Sequence, residues 1–159
     1  MRAILVKEVG DPDKVIIEEI ASPMPGPGEV LLDMKAAAVN FPDLLTVEGK
    51  YQFIPPVPFS PGKEGAGVVA ALGDGVTDLK VDDRVMVQVE FGSYAEQLAV
   101  PVHDCYPMPD DISFEDAAAI GVAFQTAHFA LVERAHVKAG DTVLVTAATG
   151  SVGIAAMQL

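Results

Sequence analysis

The segment T-V-L-V-T-A-A-T-G-S-V-G-I-A-A-M-Q-L, Thr142 to Leu159, places glycines at 150 and 153 between a run suited to a strand and a run suited to a helix. The order strand, glycine-rich turn, apolar helix, with the spacing Ala148-x-Gly150-x-x-Gly153, matches the dinucleotide fingerprint G-x-G-x-x-G with alanine in the first slot. Gly150 lacks a Cβ, so backbone can approach a pyrophosphate, and Gly153 lets the helix pack closely on the strand. Backbone N–H groups near Ser151 and Val152 would face the phosphates with the positive end of the helix dipole. The plain alternative is an ordinary strand-to-helix turn, but the strand, the spacing and the helix agree with one another.

Few other residues offer chemistry. The single cysteine, Cys105, has no partner for an internal disulfide, and a catalytic zinc needs three protein ligands that the sequence does not group. His103 and Cys105 alternate as one solvated and one core side chain of a strand would. His128 and His136 are expected on a helix surface and at a helix C-terminus. No Ser/His/Asp set or carboxylate pair stands out.

The elements that must position these residues change texture along the chain. The first half is rich in Val and Ile and is punctuated by PMPGPG, PPVPFSPG and GDG, which force reversals. Strands are expected at Arg2–Lys7, Val15–Glu19, Val30–Ala38, Gly65–Leu72, Arg84–Gln88 and Ala95–Val100. A short helix is expected over Asn40–Val47, with Asn40 as N-cap and Pro42 in the first turn. From Ser113 the text becomes helical: SFEDAAAIG carries a capping serine, first-turn acids and then alanines. Ala123–Arg134 shows a second apolar helical face. Thr142–Thr146 reads as a strand covered on both faces. Eighteen residues run from Thr142 to Leu159, whereas a βαβ unit takes about 30. The residue that reads the adenine ribose falls about 20 positions past the glycines, so NAD and NADP are not distinguished.

Composition bounds the partners. Ten Lys and Arg against 23 Asp and Glu give a net charge of −13, which repels nucleic acid and anionic lipid alike. Half the residues are hydrophobic, as in a globular chain with a real core. No run approaches the ~20 apolar residues of a membrane span, and a cytoplasmic location is the expectation.

VNFPDLLTVEGKY, PGKEGAGVVAALGDGV, DDRVMV, GSYAE and AATGSVGIAAMQL together resemble the medium-chain dehydrogenase/reductase superfamily, in its zinc-independent quinone oxidoreductase branch and its N-terminal half only. The resemblance implies a mostly β GroES-like domain with short helices, residues 1–122. The connecting helix and a truncated α/β Rossmann domain, its first strand and the start of its first helix, follow over 123–159. It implies that Asn40 and Thr126 contact the nicotinamide side of the cofactor, that Tyr51 is the catalytic residue of the cleft, and that Ala148, Gly150, Ser151, Val152 and Gly153 form the phosphate loop. Each has a local alternative: Asn40 as a cap, Thr126 bonding a helix carbonyl, Tyr51 as a half-buried aromatic beside Pro55, and the family-matching Asp43 as a first-turn acid. Zinc-dependent relatives carry Cys where Asn40 stands and His where Lys63 stands, and no thiolate is offered near Val122, so no zinc is expected.

What the resemblance implies of the reaction is hydride transfer from NADP or NAD, NADP being favoured by resemblance alone, to a quinone or another electron-poor carbonyl compound. The runner-up is an enoyl-thioester or alkenal reductase on the same scaffold. A third reading is a non-catalytic β domain that binds no nucleotide. With so little of the second domain present, the 159-residue chain by itself is expected to be inactive, and the open edges of Thr142–Thr146 suit a homodimer.

Overall fold

The computed structural model describes all residues, 1–159. They form two compact units, Met1–Ala119 and Ile120–Leu159, and the division falls inside a helix.

The first unit is mostly β. Strands β1 (Arg2–Leu5) and β2 (Ile16–Glu19) pair as an antiparallel ribbon. The other five are β3 (Glu29–Ala37), β4 (Glu64–Leu72), β5 (Arg84–Gln88), β6 (Gln97–Pro101) and β7 (Cys105–Pro107), in the antiparallel order β6-β3-β4-β5-β7. Alternation sets the faces: Val85 and Val87 are buried between Arg84, Met86 and Gln88. They join Val30, Leu32, Val69, Leu79, Val100 and Cys105 in the main core, where burial of each large aliphatic side chain contributes roughly 1.5–3 kcal/mol. Ala66 and its cross-strand partner Met86 pack instead against Ala117 and Ala118. The β3–β4 register slips between Met34 and Ala36, a bulge of the kind that re-aims a chain next to a functional region. From there the chain runs into α1 (Phe41–Val47).

Helix α2 (Phe114–His128) begins where the serine cap was expected. Ser113 Oγ accepts from the Asp116 N–H at 3.0 Å. Arg84 fixes the approach, donating to the carbonyls of Pro109 (3.1 Å), Asp110 (2.7 Å) and Ile112 (2.5 Å), with its guanidinium over the Phe114 ring. The sequence suggested a separate helix over 123–134. Instead α2 runs on without a break and passes into a π-helical segment, Phe129–Arg134. Gly121 falls within the run but is buried and helical, and no Pro follows it before Arg134, so the first helix continues into the second.

The expected strand at Thr142–Thr146 requires correction. It belongs to no sheet, and Leu144 is 89% exposed. A strand is completed by the neighbours that accept its N–H groups, and the second unit supplies none. The glycine turn and helix after it do form, as α3 (Ser151–Gln158), with Ala155 packed against Ala123 and Ala127. His103 lies on a 3₁₀ turn, not on a strand. The short strand β7 escaped sequence reading because three residues ending in Pro107 carry too little periodicity.

Candidate functional site

Helix α1 is built against the usual pattern. It buries Asp43, Thr46 and Val47 and leaves Phe41 and Leu44, with Val39 before it, exposed. The polar side is buried because it is hydrogen-bonded. Asp43 Oδ2 accepts from the Asn40 backbone N–H at 2.8 Å and from the Tyr94 hydroxyl at 2.8 Å. Tyr94 Oη also reaches the Ala38 carbonyl at 3.0 Å, and Thr46 Oγ1 donates to the Pro42 carbonyl at 2.9 Å. Asn40 stands at the N-cap position, yet its side-chain amide donates to Glu64 Oε1 on β4 at 2.7 Å. The cap reading of Asn40 is therefore incomplete: position and side chain have separate tasks.

The environment holds Tyr94 protonated. Burial disfavours its phenolate first, and the neighbouring Asp43 carboxylate adds to the effect, pushing its pKa well above the ordinary tyrosine value. Asp43 Oδ1 is buried without a hydrogen-bond partner, so the carboxylate keeps acceptor capacity beyond its present bonds.

Beside this network lies Lys63, only 6% exposed. Its ammonium donates to the Glu90 carbonyl at 2.8 Å and to Glu90 Oε2 at 3.2 Å, and sits 4.3 Å from the centroid of the Tyr51 ring. Tyr51 is thus held by a cation–π contact, where sequence reading had only the neighbouring Pro55 to offer. The preceding Gly62, at φ +98°, packs against Ser93 and Tyr94, where any Cβ would collide with both. No three His, Cys, Asp or Glu side chains converge in a way that could hold a metal ion. Cys105 is buried, and burial, with the Asp104 charge second, pushes its thiol up to about 12.

The second unit carries the loop. The first intrahelical bond of α3 runs from the Ile154 N–H to the Gly150 carbonyl at 2.8 Å, and no side chain caps the donors before it. The N–H groups of Ser151 and Val152 are therefore open, as a diphosphate requires. The two glycines differ. A Cβ on Gly153 would meet the Ala147 carbonyl oxygen at 2.5 Å and Ala148 Cα at 2.8 Å, so close packing demands glycine there. A Cβ on Gly150 would meet only that oxygen, at an ordinary 3.4 Å. Internal packing does not require a glycine at 150, and a ligand's close approach would. Ala147 adopts φ +50° to turn the loop. Thr126 is exposed on α2.

Asn40, Asp43, Tyr51 and Lys63 are thus gathered in the first unit, and Thr126 and Ala148–Gly153 belong to the second. Tyr94, Glu64 and Glu90 were missed as site residues, although Tyr94 stands within the quoted GSYAE. A cavity of about 440 Å³ opens beside β1 and β3, among Ala3, Ile17, Met34, Val39 and Tyr94, and takes in none of Asn40, Tyr51 or Lys63.

Residues 26–110 match the family model of the alcohol dehydrogenase GroES-like domain, and the chain belongs to that family and, with it, to the medium-chain dehydrogenase/reductase superfamily. It is 42% identical over its whole length to the synaptic vesicle membrane protein VAT-1 homolog of Rattus norvegicus, covering 40% of that protein. It is 38% identical, again over its whole length, to the quinone oxidoreductase of Pongo abelii, covering 49% of it. A mycobacterial protein solved in complex with NADPH superimposes with a TM-score of 0.92 at 39% identity, over 99% of this chain and 49% of that one. The chain spans about two-fifths to one-half of these relatives' length.

Proposed function

We propose that this chain is the N-terminal portion of an NAD(P)H-dependent oxidoreductase that passes hydride to a quinone without zinc. The observation that carries the reading is the pair of open N–H groups at Ser151 and Val152, above a Gly150 that the protein's own packing does not need. They would hold the cofactor's diphosphate, with Ala148 and Gly153 shaping the loop, and Asn40 and Thr126 would contact the nicotinamide end. When bound, a reduced nicotinamide supplies hydride. The NADPH complex and the quinone oxidoreductase among the similar proteins favour this cofactor and this acceptor. Residues 1–122 would then serve as the substrate domain and 123–159 as the beginning of the nucleotide domain.

The chain's own residues have definable tasks. The Asn40 amide, fixed by Glu64, is oriented before any ligand arrives. The Tyr51 hydroxyl would donate to the acceptor oxygen on which negative charge develops. Lys63 brings positive charge to the neighbourhood, and with Glu90 as its partner it makes a poor neighbour for a divalent cation. That arrangement favours chemistry without zinc. Cys105, free and buried, fits a reducing compartment, and no helix is long and apolar enough to cross a membrane. The free thiol supports a cytoplasmic site of action.

The test is NADPH oxidation by the complete protein, offered 1,4-naphthoquinone and a crotonyl thioester in parallel. Turnover with the quinone is expected. Turnover with neither overturns the reading, and turnover with the thioester alone replaces the acceptor.

A further inference from the structure

The loops that carry Tyr51 and Glu90 are joined at two points. The first is the Lys63 ammonium, gripped by Glu90 and lying over Tyr51. The second is a pair of phenylalanines, Phe53 and Phe91, stacked with centroids 6.2 Å apart and planes 29° from parallel. Both rings are substantially exposed, 46% and 39%. Phe91 is not loose, because the buried Phe59 meets it edge-on at 6.4 Å and 78°. A stacked pair, braced from within and presented outward beside a proposed catalytic phenol, is costly as bare surface and useful as a platform.

We propose that Tyr51, Phe53 and Phe91 form an aromatic wall that takes the flat ring of a quinone acceptor, and that Lys63 is the positioning residue that rivets this wall together. The inference rests on the oxidoreductase reading and names the part of the chain that selects the acceptor. A rigid planar ring loses no internal rotations on stacking against a braced surface, whereas a flexible acyl chain must be ordered to do so. Ring stacking also adds to simple area burial. The Lys63 ammonium has two of its three N–H groups on Glu90 and its charge toward the Tyr51 ring. Its role is therefore to fix the two loops, not to touch the acceptor.

The wall is tested with Phe53→Leu and Phe91→Leu in the complete protein. Each keeps an apolar side chain at a partly exposed position and is checked for folding by its amide spectrum. Against 1,4-naphthoquinone, KM should rise roughly three- to tenfold, the range that lost ring stacking supports, while kcat stays within about twofold. Against but-3-en-2-one, a small aliphatic acceptor, KM should not move. Lys63→Met should raise KM for the quinone and also lower kcat, since Tyr51 loses its anchor, and Lys63→Arg should restore both. Equal changes with the two acceptors, or no change with either, overturn the proposal. Ring signals of ¹³C-labelled phenylalanine in the complete protein provide a readout independent of turnover. If naphthoquinone perturbs Phe53 and Phe91 while no hydride transfer occurs, the subsite stands and the oxidoreductase reading fails. If the quinone is reduced but the leucine variants are silent, the reading stands and the wall fails.

Discussion

Asn40 shows how far a single residue can be read without a fold. Its N-cap position before Pro42 was legible from local chemistry, and its importance from resemblance. Its bond to Glu64, 24 positions away, depends on how β4 passes α1 and leaves no local trace. Tyr94 is the same case at larger separation, meeting Asp43 across 51 positions. Because that bond is buried and Asp43 Oδ1 already lacks a partner, Tyr94→Phe should cost roughly 1–3 kcal/mol, read as a lower urea midpoint. Alkaline behaviour follows from two groups. Cys105 is raised to about 12 in the folded chain against 9.0 for the free thiol, so its contribution is complete below pH 9 and is lost as pH rises from 9 towards 12. Tyr94, also raised, adds a loss that begins near its ordinary value of 10. Urea midpoints should fall steadily above pH 9, and in Cys105→Ala the fall should begin nearer pH 10. A midpoint that stays level to pH 11 contradicts both assignments.

At the scale of elements, the first unit was largely visible because alternation and turn residues are local signals. Six expected strands correspond to β1–β6 within a residue or two at most ends. The failure at Thr142–Thr146 has a plain cause, since that segment has the composition of a strand and nothing to pair with, and composition does not report partners. The loop after it offers a contrast between two similar glycines. Gly153→Ala should destabilise α3 by about 1–3 kcal/mol, as overpacking against backbone does, measured as earlier loss of helical signal on heating. Gly150→Ala should leave thermal stability nearly unchanged, because its contact is ordinary. It should weaken NADPH binding to the complete protein at least about tenfold, the equivalent of roughly 1.4 kcal/mol. Equal affinity in that variant would leave the loop as a packing device.

The molecule as a whole combines a well-buried first unit with an extended apolar stretch at Thr142–Thr146. Charge, hydrophobic content and the glycine turn were all evident at this scale from composition and order. The structure divides after Ala119, inside α2, and the sequence reading set its boundary after residue 122, in the same helix.

The grip of Arg84 on the start of α2 has a consequence in acid. Its hydrogen bonds run to backbone carbonyls, which do not titrate, whereas the neighbouring Ser113–Asp116 cap draws on a carboxylate. As acid neutralises Asp83 and Glu96, whose carboxyls the hydrogen bonds from Lys80 and Arg2 hold below the ordinary range, carboxylate ties of that kind weaken and this one persists. Amide exchange near pH 4 should therefore find Ala117 and Ala118 still protected after the carboxylate-dependent turns have begun to open, and Arg84→Gln should abolish that lag. A protein so rich in carboxylates would then owe its last acid-resistant corner to one guanidinium that faces none of them.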